Sequence, residues 1–135
     1  MHNEQIEAIV ETALEQYLGP VETLQRIRQP VALDYVRVLQ RAVAALQGGT
    51  IAPLPLDDGE FSAAALGAAY AARSDQTGAM FLHAFACMLH ALADRDAEAE
   101  SEGQAAAALF SAARGMLMVP FCLFFSARAA LRLAR

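Results

Sequence analysis

Three residues in the middle of the chain carry side chains suited to metal or nucleophile chemistry. His83, Cys87 and His90 stand in the pattern H-x3-C-x2-H. Spacings of four and three put all three on one side of a helix. Neutral imidazole and thiolate are zinc ligands, so the trio is a candidate metal set, with Cys122, His2 or a carboxylate to complete it. Either histidine could serve as an axial ligand to haem. Helical rise works against one shared ion, because seven residues separate His83 from His90 by ~10 Å along the axis. His83 and Cys87 at i and i+4 also have the spacing of a nucleophile and its base, but a thiol in so apolar a stretch is ordinarily inert. The sequence contains no G-x-S-x-G, H-E-x-x-H, phosphate-binding Gly-rich loop or paired Glu-x-x-His. A non-enzymatic protein without a cofactor is therefore expected.

The elements that must position these residues read as helices throughout. Of 135 residues 56% are hydrophobic, alanine dominates, and Gly and Pro fall between periodic stretches. The expected fold is all-α: a helical bundle or short stack of helical hairpins, about six to seven helices, forming one domain over residues 1–135. Ile6, Ile9, Val10, Ala13, Leu14, Tyr17 and Leu18 follow helical spacing over residues 3–18, flanked by Glu4, Glu7, Glu11 and Glu15. A short helix over residues 21–29 ends before Pro30, which suits the first turn of a third helix running to about Gln47. Residues 48–57 form a linker-like segment whose prolines exclude helix. Asp57 with Glu60, and Ser101 with Gln104, have capping-box spacing. The acidic run from Asp94 to Glu102 reads as a frayed helix end and turn. Ser101 to Arg135 reads as a long helical stretch kinked or divided at Pro120.

Charge and cysteine usage narrow the function. A net charge of −5 argues against a general nucleic-acid surface. All ten basic residues are Arg, as expected of a GC-rich bacterial gene. Arg128, Arg132 and Arg135 form a short basic stripe suited to a helix C-terminus. Two cysteines without a CxxC motif, and no signal-peptide pattern in the first residues, point to a reducing cytoplasm. The run from Gly115 to Ala127 is apolar for 13 residues, short of the roughly 20 that span a bilayer, so a buried helix is expected and membrane association is the alternative. Its large side chains, Met116, Met118, Phe121, Phe124 and Phe125, are the candidate contact surface for a protein partner or a second copy.

Two stretches resemble known families. The H-x3-C-x2-H row resembles the His-x3-Cys-x2-Cys helix of zinc-binding anti-sigma factors, with His90 in place of the final Cys. Leu66-Gly67-x-x-Tyr70, followed by Ala79 and Ala86 around a turn at Ser74-Asp75, resembles one tetratricopeptide repeat. Ala63 stands at that family's customary Trp or Leu, and its terminal Pro is absent. A second likeness lies 41 residues on: Ala71-Ala72-Arg73 matches Ala112-Ala113-Arg114, Leu82 matches Leu123, Ala86 matches Ala127, and Leu92-Ala93 matches Leu133-Ala134. The resemblance implies binding of protein or peptide segments. Size, acidity and helical content are similar to those of the tetratricopeptide-type chaperones of type III secretion, which hold an apolar segment of a partner in a concave groove. The expectation is a small cytoplasmic interaction module acting as chaperone, adaptor or partner-neutralising protein.

Overall fold

The structure, a computed structural model, describes residues 4–5, 8–9, 11–12, 15–16, 30–49, 51–53 and 55–135. The described residues of the first segment are helical and exposed. The rest of the helices expected over residues 3–18 and 21–29 lie outside the described residues. Five α-helices follow: α1 Pro30–Gln47, α2 Ala63–Ala72, α3 Gln76–Leu92, α4 Asp96–Ala107 and α5 Met118–Leu133, with a 3-10 turn at Phe110–Ala113. Among the described residues there is no strand, and no helix is long and apolar enough to cross a membrane.

Local chemistry sets the boundaries. Pro30 opens α1, where its missing N–H costs nothing, and Gly49 ends the run at φ +72. Ser62 caps α2, its hydroxyl accepting from the Ala65 N–H, so the cap is not the Asp57–Glu60 box. Asp57 instead accepts from the Ala63 N–H, and Asp58 accepts from the N–H groups of Glu60 and Phe61 in a turn of its own. The next two helix junctions share one design. Ser74 and Asp94 take positive φ, and the following N–H reaches back five residues, Asp75 to the Tyr70 carbonyl and Arg95 to the His90 carbonyl. This is the Schellman arrangement, which satisfies carbonyls that a helix end leaves free.

Three expectations are corrected here. The acidic run is helical from Asp96, so Ser101 and Gln104 lie inside α4 and do not cap it. Acidic residues in that helix's first turn favour its positive end. Pro120 does not kink a long helix. It sits in the first turn of α5, where its missing N–H is tolerated, and the break falls upstream between Ala107 and Met118. Gly115 turns the chain there at φ +77.

α3 is the centre of the packing. α1, α2, α4, α5 and the 3-10 turn all contact it. One apolar cluster joins it to α4 and α5 through Met80, Ala84, Cys87, Ala91, Ala99, Ala106, Cys122 and Ala129. Another joins it to α1 and α2 through Val38, Ala42, Tyr70, Leu82, Phe85 and Leu89, with Leu56 from the extended segment. α5 runs alongside α3 in the same direction: Phe121 meets Phe85 edge-on at 5.9 Å near its start, and Arg128 donates to the Ala91 carbonyl near its end. The 41-residue offset pairs Leu92 with Leu133, each the last residue of its helix.

Close approach makes two glycines indispensable. A Cβ on Gly103 would lie 2.7 Å from the Ser126 Cβ, where α4 crosses α5, and one on Gly78 would lie 2.7 Å from the Tyr70 ring and 2.9 Å from the Tyr35 ring. Gly67 differs, since a Cβ there meets Leu82 at an ordinary 3.6 Å. Gly103→Ala is expected to destabilise the fold by about 1–3 kcal/mol through overpacking. Gly67→Ala is expected to be neutral or to stabilise by up to about 1 kcal/mol through helix propensity. Urea unfolding of the two variants beside the wild type checks both signs.

Candidate functional site

α2 and α4 flank α3 without closing over it, leaving a groove of about 740 Å³. Its floor is the strip of α3 that stays partly exposed, Ala79, His83 and Ala86 at i, i+4 and i+7. Ala63, Ala64, Gly67 and Ala71 of α2 form one wall, Glu102 and Leu109 the other. Small side chains on α2 and the α3 floor hold the volume open, because a larger residue at any of them would project into the space.

The extended segment after α1 closes one end with Leu56 and Asp57, held there by two arginines. The Arg95 guanidinium donates to the Ile51 and Ala52 carbonyls, and its Nε donates to the His90 Nδ1 at 3.0 Å. Arg41 donates to the Leu56 carbonyl at 3.2 Å and pairs with Asp58 at 3.0 Å. Backbone carbonyls that no sheet or helix uses are thereby satisfied. At the other end, Asp75 accepts from the Gly78 N–H at 2.9 Å, from the Tyr35 hydroxyl at 2.7 Å and from Arg73 at 3.4 Å. Burial pushes the Asp75 carboxyl up, but these three donors together hold it below the usual carboxylate range. Burial, reinforced by the bond to Asp75, lifts the Tyr35 hydroxyl to about 12. Arg73 also lies over the Tyr70 ring, 4.8 Å from its centroid.

The three candidate ligands are committed to three different partners. His83 stays at the groove floor, its Nδ1 2.6 Å from a Glu102 carboxylate oxygen. Cys87 is fully buried and shares a hydrogen bond with Cys122, and that bond together with burial holds the Cys87 thiol well above its ordinary range. A protonated thiol in an apolar core is inert as a nucleophile. His90 is buried beneath the extended segment and accepts from Arg95. Among the described residues no group of three or more His, Cys, Asp and Glu side chains is placed to hold a metal. What remains at the surface is a hydrogen-bonded His83–Glu102 pair, with polar atoms open to a bound chain.

The five aromatic and methionine residues proposed for partner contact divide between inside and outside. Met118, Phe121 and Phe125 turn toward the core, whereas Met116 and Phe124 face out. The basic stripe is likewise redistributed: Arg132 pairs with Asp94 at 2.6 Å and Asp96 at 3.0 Å, locking the end of α5 to the α3–α4 turn. Glu102, Ala64 and Arg95 escape the sequence reading. Glu102 falls in the acidic run that reads as a turn, and nothing local links it to His83, 19 residues away. No protein-family model, curated protein or solved structure matches the chain.

The His90 position makes stability depend on pH. Burial, with the neighbouring Arg95 charge, lowers its pKa from the ordinary 6.5, so the folded protein holds the neutral ring that Arg95 requires. The unfolded chain takes up this proton first as pH falls, so the contribution is whole above pH 6.5 and declines as pH drops through that value. Urea midpoints at about pH 7.5 and about pH 5.5 should differ for this reason. His90→Gln, which retains an acceptor but does not titrate, should shrink that difference; an undiminished difference would assign it to other groups.

Proposed function

We propose that this protein is a non-enzymatic, cytoplasmic interaction module that holds an apolar segment of another protein in the groove over α3. The observation that carries this reading is the groove itself, floored and walled on one side by alanine and glycine and kept open by anchored ends. Concave, mostly apolar sites with a few polar groups are the usual form of a binding site. Asp57, Asp75 and Glu102 line it and no arginine does, which favours a segment carrying Lys or Arg among small apolar residues. The consecutive hairpins α2–α3 and α4–α5 support the likeness to tetratricopeptide repeats, and with it a role as chaperone, adaptor or partner-neutralising protein. The residues outside the groove that bear on such a role are Met116 and Phe124.

An array of short peptides tests the reading. The protein should select apolar, cationic peptides over polar or acidic ones. Ala86→Trp on the floor and Ala64→Trp on the exposed wall should each weaken capture at least about tenfold, a change of ~1.4 kcal/mol, while helicity by circular dichroism is unchanged. Binding without preference, or equal binding by both folded variants, would refute it.

A further inference from the structure

The outward side of α5 presents an apolar surface to water. Every exposed residue from Gly115 to Leu131 is apolar. Leu117, Phe124 and Leu131 are 83%, 64% and 68% exposed and recur every seven residues, the spacing that keeps one seam facing a partner helix. Met116 and Leu123 widen the stripe, and the smaller Pro120 and Ala127 lie between its large side chains. Phe124 is steadied by Phe125, against which it packs edge-on at 5.1 Å. No residue of this stripe lines the groove over α3.

We infer that this face is the interface between two copies of the chain, with α5 packed antiparallel against α5 about a twofold axis near Phe124. The spacing is its own mirror: Leu117 and Leu131 each lie seven residues from Phe124, so a twofold axis there sets Leu117 against Leu131 of the second copy. A closed pair of this kind needs one self-complementary patch, which this face supplies. Between Arg114 and Arg132 its exposed residues include no ionisable group, so the centre of the face offers no charge for a partner to recognise. The flanking Arg128 and Arg132 are held by the Ala91 carbonyl, Asp94 and Asp96 of their own chain, which keeps their charge off the seam. Antiparallel packing also separates the two arginine-bearing C-terminal ends and sets the helix dipoles head to tail. The large apolar side chains of the stripe expose roughly 600 Å² per chain, at the upper limit for a monomer and close to the ~800 Å² per partner of a standard interface.

Light scattering coupled to size exclusion tests the assignment on the full chain. The wild type should elute with twice the 14.4 kDa chain mass, and Phe124→Glu and Leu131→Glu should each return it to one. Phe124→Cys should be joined chain to chain by a short bismaleimide, whereas the wild type, whose Cys87 and Cys122 are buried, should not. A wild type that stays monomeric at ~100 μM, a concentration that populates any dimer of micromolar or tighter affinity, would overturn the inference. So would a dimer that survives both glutamates, or a Phe124→Cys protein that does not crosslink. Peptide capture by Phe124→Glu reads the groove separately, so the failure of one proposal is distinguishable from the failure of the other.

Discussion

The structure depends on enclosing α3. A 17-residue helix whose buried side chains include Met80, Leu82, Ala84, Phe85, Cys87, Met88 and Leu89 cannot lie on a surface, and α1, α2, α4 and α5 each contribute a side to its cover. Enclosure on this scale demands that helices come close, and the chain achieves this by omitting side chains. Gly78 admits the rings of Tyr35 and Tyr70, and Gly103 admits Ser126 beside Cys87. Alanines at 84, 91, 99, 106, 113 and 129 do the same along the α3–α4–α5 contact. The high alanine content thus serves helix formation and tight packing at once.

Close packing on most sides of α3 leaves one side only partly covered, and the groove is what remains. Its ends are polar and rigid for a physical reason. An extended segment and two helix junctions bring unpaired backbone groups together there, and Arg41, Arg95, Asp57 and Asp75 satisfy them. The groove is therefore bounded by hydrogen bonds and floored by small side chains. A passing apolar segment would meet a surface already shaped, with little ordering cost at binding. The one titratable contact on its floor is His83 with Glu102.

Polar residues near α3 are used mainly as fasteners. His90, which sequence spacing grouped with His83 and Cys87, spends its acceptor on Arg95 and so helps hold the segment at residues 51–52. Cys87 and Cys122 pair in the core between α3 and α5. Arg128 and Arg132 fasten the last helix to the α3–α4 turn. Apart from the His90–Arg95 bond, which spans five residues, these links are long-range along the chain and join groups that no helical-wheel argument places together.

The sequence alone was enough for the helical class, the start of α1 at Pro30, the non-helical segment after Gln47 and a hairpin from about Leu66 turning at Ser74-Asp75, because these follow from local forces: periodicity, proline's fixed φ and turn chemistry. It misjudged the acidic run at Asp96, where carboxylates that suggest a solvated turn instead favour a helix N-terminus, and Pro120, whose effect depends on whether a helix has already begun. In the sequence His83 stands out as a candidate ligand and Ala79 and Ala86 as positions of a repeat-like pattern; that the three floor a groove and that Glu102 supplies the partner of His83 depends on how α4 docks. Likewise the apolar run from Gly115 to Ala127 was plain in the sequence, yet its division into a core side with Met118, Phe121 and Phe125 and an open side with Leu117 and Phe124 was not. Local sequence sets which atoms lie on one side of a helix; only packing against α3 decided which side faces inward.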